Sequence, residues 1–192
     1  ITLKPQVVPA ALKKLDTLIL DDCLCEEDND VLNRIENSRT DADALYVLFT
    51  SGSTGVPKGA IVTHRNVLTY TDWVCNTFDI TENTVYGSQA PFYFSMSVTD
   101  VFSTLKSGGT LVIIPKSLFI FPVKLLEFMA NNKVNTIYWV PSALGIVANW
   151  QALDFADVPT LKKIMFAGES MPIKQLNIWR KHFPNAMFAN LF

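Results

Sequence analysis

From Ala44 onward the sequence alternates between short apolar or β-branched runs and stretches with helical periodicity, and few architectures accept that alternation. Ala44 to Thr50 reads as a buried strand, and a second short β-like run covers 60–63 after an intervening polar loop. Residues 66–78 place Val67, Tyr70, Val74 and Phe78 at spacings of three and four, which is one face of a helix. Strand signals at 85–89, 110–114, 136–140, 163–167 and 186–191 then alternate with helix signals at 97–106, 122–131, 141–150 and 172–183. Gly108-Gly109 marks a turn, and Pro122 opens its helix where a missing N–H costs least. Connections that each contain a helix suit parallel strands, because an antiparallel pair needs only a tight turn. The expected fold is therefore α/β, a mostly parallel sheet flanked by helices.

Composition narrows the function classes. The 192-residue chain is 49% hydrophobic, enough for a substantial core, and its net charge of −2 offers no basic face for nucleic acid. The longest apolar runs, such as Thr110 to Pro115, fall far short of the roughly 20 residues that span a bilayer, and the first ten residues lack the apolar stretch of a signal peptide. A cytoplasmic protein with neither nucleic acid nor membrane as partner is expected. Cys23 and Cys25 have no second Cys or His pair nearby, so with Cys75 they read as reduced thiols and no metal site is expected. The acidic stretch 21–43, with Glu26, Glu27, Asp28 and Asp30, reads as a surface connection containing one short helix. Trp73, Trp139, Trp150 and Trp179 are expected in the core, and His182 in solvent.

The chemistry is concentrated in one loop. Thr50-Ser51-Gly52-Ser53-Thr54-Gly55-Val56-Pro57-Lys58-Gly59 brings four hydroxyls, three glycines and one ammonium into ten residues. Such a loop suits a polyphosphate: glycines let successive N–H groups approach the anion, hydroxyls add donors, and Lys58 adds a mobile charge. A Walker loop joins Gly directly to Lys and starts a helix at once. Here Pro57 lies between Gly55 and Lys58, Gly59 stands where the magnesium-binding hydroxyl would be, and a strand follows. A kinase or GTPase is disfavoured. His64 could donate to a phosphate, but its position favours a role at the start of the following helix.

Tyr46 to Gly59, Y-V-L-F-T-S-G-S-T-G-V-P-K-G, resembles the signature of the adenylate-forming (AMP-binding) superfamily. Ala90 to Ser97 is similar to that family's second block, Val140-Pro141-Ser142 to its pocket-strand end, Phe166-Ala167-Gly168-Glu169 to its adenine-side loop, and Asn190-Leu191-Phe192 to the start of N-x-Y-G-P-T-E. The likeness runs from Ala44 to the last residue and is greatest toward nonribosomal peptide synthetase adenylation domains and D-alanine carrier-protein ligases. It implies that residues 1–43 end a preceding subdomain, and that 44–192 form an ATP-binding and acyl-pocket subdomain of the N-terminal domain, cut short before the family's later catalytic blocks. No catalytic residue is assigned in this fragment, which is expected to be inactive alone.

The resemblance further implies an enzyme that uses ATP and Mg2+ to adenylate a carboxylic acid and passes the acyl group to the phosphopantetheine thiol of a carrier protein. An acyl-CoA synthetase or a noncatalytic nucleotide-binding module are the alternatives. Thr50, Ser51, Gly52, Ser53, Thr54, Gly55 and Lys58 would hold the β- and γ-phosphates. Gly168, Glu169, Asn190 and Phe192 would lie on the adenine side, while Phe94, Ser95, Met96, Thr99, Tyr138, Met165, Ala167 and Leu191 would line the acyl pocket. For Met96 and Met165, core packing is the competing role. Ser95 stands where amino-acid-activating relatives carry the aspartate that binds the substrate ammonium. A buried ammonium stripped of its counter-charge costs about 3 to 5 kcal/mol. Either Glu169 or Asp100 replaces that aspartate, or the acid is a hydroxy, keto or aryl acid or an amino acid read differently.

Overall fold

The computed structural model describes residues 28–50 and 57–191, and the chain divides after Asp43 into two compact units. Residues 51–56 of the hydroxyl-rich loop, Phe192, Cys23 and Cys25 lie outside the described residues. In the first unit, helix α1 (Asn29–Ser38) is capped by Asp28, whose Oδ1 accepts from Val31 N at 3.0 Å. A carboxylate there satisfies one of the N–H groups that a helix start leaves open.

The second unit opens with an antiparallel hairpin of β1 (Ala44–Thr50) and β2 (Lys58–Thr63). Lys58 and Gly59 belong to β2, so the loop closes two residues earlier than the sequence suggested, and Thr50 is the register partner of Lys58. Helix α2 (His64–Phe78) follows directly. Its start is a reciprocal cap: Asn66 N donates to Thr63 Oγ1 at 3.2 Å, and Thr63 N donates to Asn66 Oδ1 at 3.0 Å. Thr63 and Asn66, not His64, therefore perform the helix-start role.

Five strands then form one parallel sheet: β3 (Val85–Ser88), β4 (Thr110–Ile113), β5 (Thr136–Trp139), β6 (Lys163–Phe166) and β7 (Met187–Asn190). Their spatial order is β4-β3-β5-β6-β7. The crossovers carry α3 (Met96–Ser107), α4 (Pro122–Asn131), α5 (Pro141–Asn149) and α6 (Ile173–His182). Gly108 ends α3 with φ of 71°, a left-handed turn that glycine adopts at no steric cost. This is the expected α/β architecture.

Strand side chains alternate between two cores, as a period of two requires. Ile137, Trp139, Ile164 and Phe166 pack with Leu125, Leu126 and Met129 of α4, Leu144 and Val147 of α5, and Trp179 of α6. Tyr138 and Met165 point into a smaller cluster with Val74 and Phe78 of α2 and Tyr86 of β3. Trp139 and Trp179 are fully buried, and their indole N–H groups donate to Gly87 O at 2.8 Å and Leu144 O at 3.0 Å. Trp73 and Trp150 depart from the core expectation, at 47% and 71% exposure. His182 also departs from the solvated reading: half-buried, it faces Asp154 Oδ1 at 3.2 Å. Among the described residues no helix is long and apolar enough to cross a membrane.

Candidate active site

In the strand order, chain direction reverses between β3 and β5: the chain moves outward from β3 to β4, then returns to β5 on the other side. Crevices at the carboxyl ends of strands beside such a reversal are where open α/β sheets bind ligands. The segments leaving that edge are 89–95 after β3, Val140 to Ser142 after β5, Ala167 to Glu169 after β6, and Leu191 after β7. These are the segments that the sequence marked.

The hairpin carries the loop expected to hold phosphates. Pairing of Thr50 with Lys58 brings the two termini of the hydroxyl-rich loop together. Ser51, Gly52, Ser53, Thr54 and Gly55 lie outside the described residues, so their contacts remain an expectation.

In the loop after β6, expected on the adenine side, Gly168 has φ of 89°, and a Cβ built there would lie 3.8 Å from Val140 Cγ1 and 4.0 Å from Met96 Sδ. A left-handed residue at this corner lets the loop leave β6 without a side chain above the pocket. Glu169 holds the loop to α5, the helix before β6: Ser142 N and Oγ donate to its carboxylate oxygens at 2.9 and 3.1 Å. Ser142 lies in the first turn of α5, so the anion also meets the positive end of that helix. Asn190 is the register partner of Phe166, and Leu191 N donates to Phe166 O at 2.9 Å, which places the end of β7 beside the Gly168 loop.

Ser95, Met96, Thr99 and Tyr138 line one cavity of about 300 Å3, together with Tyr46 and Val62 from the hairpin and Asn66, Val67 and Tyr70 from α2. Met165, Ala167 and Leu191 belong to the apolar cluster that also holds Tyr138 and Met96. Met165 is completely buried, so packing accounts for it. Phe94 separates from the others: it is exposed and lines two neighbouring cavities with Phe92 and Tyr93.

Tyr70 escaped the sequence reading, which took it as one apolar helix position among four. Its phenol lies 2.8 Å from Thr99 Oγ1. The available signal was a tyrosine where leucine or phenylalanine would satisfy the periodicity, because a buried phenol requires a partner.

Asp100 is fully buried, and neither of its oxygens has a hydrogen-bond partner. Burial pushes its carboxyl up to about 8, while the nearby Ser88 hydroxyl, outside hydrogen-bond geometry, pulls it partly back. Tyr86 OH, Ser103 Oγ and Thr104 Oγ1 are likewise buried and unpartnered. Burial, and then the charge of Asp100, push the Tyr86 phenol upward. Neither sequence candidate for the ammonium counter-charge lines the cavity: Asp100 is enclosed, and Glu169 is engaged with Ser142.

The parallel sheet and its reversal point define an α/β domain of the kind that holds ligands at the carboxyl ends of its strands. More narrowly, the chain belongs to the AMP-binding enzyme family, whose model matches residues 4–192. It is 35% identical over 150 residues to an L-proline–[L-prolyl-carrier protein] ligase from Pseudomonas fluorescens, covering 78% of this chain and 30% of the relative. It is 34% identical over 150 residues to a D-alanine–D-alanyl carrier protein ligase from Bacillus licheniformis, with the same coverage of 78% and 30%. The chain thus spans 30% of the length of these curated relatives. Among solved structures, that of IdnL7 superposes with a TM-score of 0.69 at 28% identity, covering 79% of this chain and 30% of the other. The Vibrio cholerae adenylation domain AlmE, solved with glycyl-adenosine-5'-phosphate, shares the fold with a TM-score of 0.70 at 24% identity, covering 87% and 31%.

Proposed function

We propose that the chain is the phosphate-gripping and acid-binding part of an ATP-dependent acid–thiol ligase. In the first half-reaction a carboxylate oxygen attacks the α-phosphorus of substrate ATP, forming the acyl-adenylate as pyrophosphate leaves. In the second, the thiol of a carrier protein's phosphopantetheine attacks the acyl carbon and AMP leaves.

The observation that carries this reading is the hairpin whose ends pair Thr50 with Lys58 and close a loop of hydroxyls and glycines. Thr50, Ser51, Gly52, Ser53, Thr54, Gly55 and Lys58 would grip the departing β- and γ-phosphates, and Mg2+ would accompany ATP as their counter-ion. Catalysis then consists mainly of aligning the attack and neutralising charge. Gly168, Glu169, Asn190 and Phe192 are assigned to the adenine side. The cavity of Ser95, Met96, Thr99 and Tyr138 is assigned to the acid, beside the cluster of Met165, Ala167 and Leu191, with Phe94 lining the neighbouring cavities. The names of the curated relatives support a carrier-protein thiol as acceptor.

The test is ATP–pyrophosphate exchange by the complete protein, with a Lys58→Ala variant and with acyl transfer to carrier protein and to coenzyme A compared directly. Acid-dependent exchange that falls at least about tenfold in the variant, with transfer to the carrier protein, is expected; one lost hydrogen bond to an anion accounts for that factor. Exchange unaffected by the substitution, or transfer only to coenzyme A, refutes the respective part of the reading.

A further inference from the structure

The cavity of about 300 Å3 has an apolar part, formed by Val62, Val67, Met96 and Val98, and a neutral polar part. Tyr70 OH and Thr99 Oγ1 lie 2.8 Å apart across its wall, and Ser95 and Asn66 line it as well. The Tyr138 phenol also engages that of Tyr70, so the three hydroxyls use two of their protons among themselves. One hydroxyl proton and further lone pairs stay available, so together they can both donate to a ligand hydroxyl and accept from it. Among the described residues no carboxylate lines it: Asp100 is completely enclosed, and Glu169 is held by Ser142. Such a wall can satisfy a hydroxyl in both directions but leaves an ammonium without a counter-charge and a methyl group facing unpaired polar atoms.

Resting on the ligase reading above, we propose that this pocket takes a small hydroxy acid, with Tyr70 and Thr99 as the residues that read its hydroxyl. Tyr70 comes from α2 and Thr99 from α3, so their separation is set by the packing of two helices and not by a mobile loop. A geometry fixed in that way discriminates by leaving polar atoms unpaired when the hydroxyl is missing.

The test uses acids that differ only in hydroxyl, amine or methyl at one position. Lactate, alanine and isobutyrate form one set; 3-hydroxybutyrate, 3-aminobutyrate and isovalerate a second; salicylate, anthranilate and o-toluate a third. Pyrophosphate exchange by the complete protein is measured as kcat/KM for each. In at least one set the hydroxy acid is expected to exceed both analogues by about 100-fold or more. Tyr70→Phe and Thr99→Val, each keeping the shape of the side chain, should each reduce that ratio by about tenfold, the worth of one hydrogen bond. A general loss of structure would lower all three acids together and leave the ratio unchanged, which would overturn the role of Tyr70 and Thr99. Preference for the amine or methyl member in every active set overturns the hydroxy-acid assignment and leaves the ligase reading standing. Exchange with none of the nine acids, nor with any proteinogenic amino acid, refutes the ligase reading itself.

Discussion

Replacing Asp100 with asparagine should change how stability depends on pH. Asp100 is completely enclosed, and its carboxyl is raised from the ordinary 3.8 to about 8. The folded-state pKa lies above the unfolded one, so the native state holds a proton that the unfolded chain releases. Stability must therefore fall as pH rises from about 4 to about 8, and level off beyond. One proton corresponds to about 1.4 kcal/mol per pH unit, so the native protein should lose about 3 kcal/mol between pH 5 and pH 7 from this group alone. Tyr70, Tyr86 and Tyr138 face the same region, but burial pushes all three phenols upward from 10.0, clear of this window. Asp100→Asn keeps the shape and abolishes the titration. Its amide has its own unpaired donors, costing about 1 to 3 kcal/mol, but that cost does not vary with pH. Urea unfolding of both proteins at intervals from pH 5 to pH 9 reads the slope directly. The variant's curve should be flatter by about 1.4 kcal/mol per unit across the window. Parallel curves would refute the claim that a protonated carboxyl is buried between β3 and α3.

Two further substitutions test the scaffold. Thr63→Ala removes half of the reciprocal cap on α2 and should cost about 1 kcal/mol, read as a lower urea midpoint; an unchanged midpoint would mean that packing alone starts the helix. Trp179→Phe keeps most of the buried ring but leaves Leu144 O without its indole donor, and about 1 to 3 kcal/mol should be lost in the same assay.

The alternation of strand and helix was legible because each element has its own hydrophobic period. The expected strands at 85–89, 110–114, 136–140, 163–167 and 186–191 correspond to β3 to β7, and the differences are confined to ends. Such ends depend on caps. The start of α2 was displaced because Thr63 and Asn66 cap each other, and reading His64 as the polar group in charge overlooked the residue immediately before it. Surface and interior were separated less well. Trp73 and Trp150 fall on apolar-looking positions yet remain largely exposed, because periodicity gives a face without saying what covers it. The pocket was legible only in part. Ser95 and Met96 lie in the marked block, Thr99 follows in the same turn of α3 and Tyr138 sits near the end of β5, whereas Tyr70 enters from a helix face 29 positions before its partner Thr99. A contact of that range depends on how α2 and α3 pack, which local spacing does not encode.

The two cores on opposite faces of the sheet have a consequence for how such a domain can diversify. The larger cluster, carried by α4, α5 and α6, contains both fully buried tryptophans, and Ser95, Thr99, Tyr138 and Tyr70 belong to the other face. Under the proposed function, substitutions around the acid cavity draw on the smaller reserve of packing and leave the larger one intact. If positions 70, 95 and 99 read the acid as proposed, they can vary while α4 to α6 keep the chain folded, so recruitment to a new substrate need not await a compensating change elsewhere.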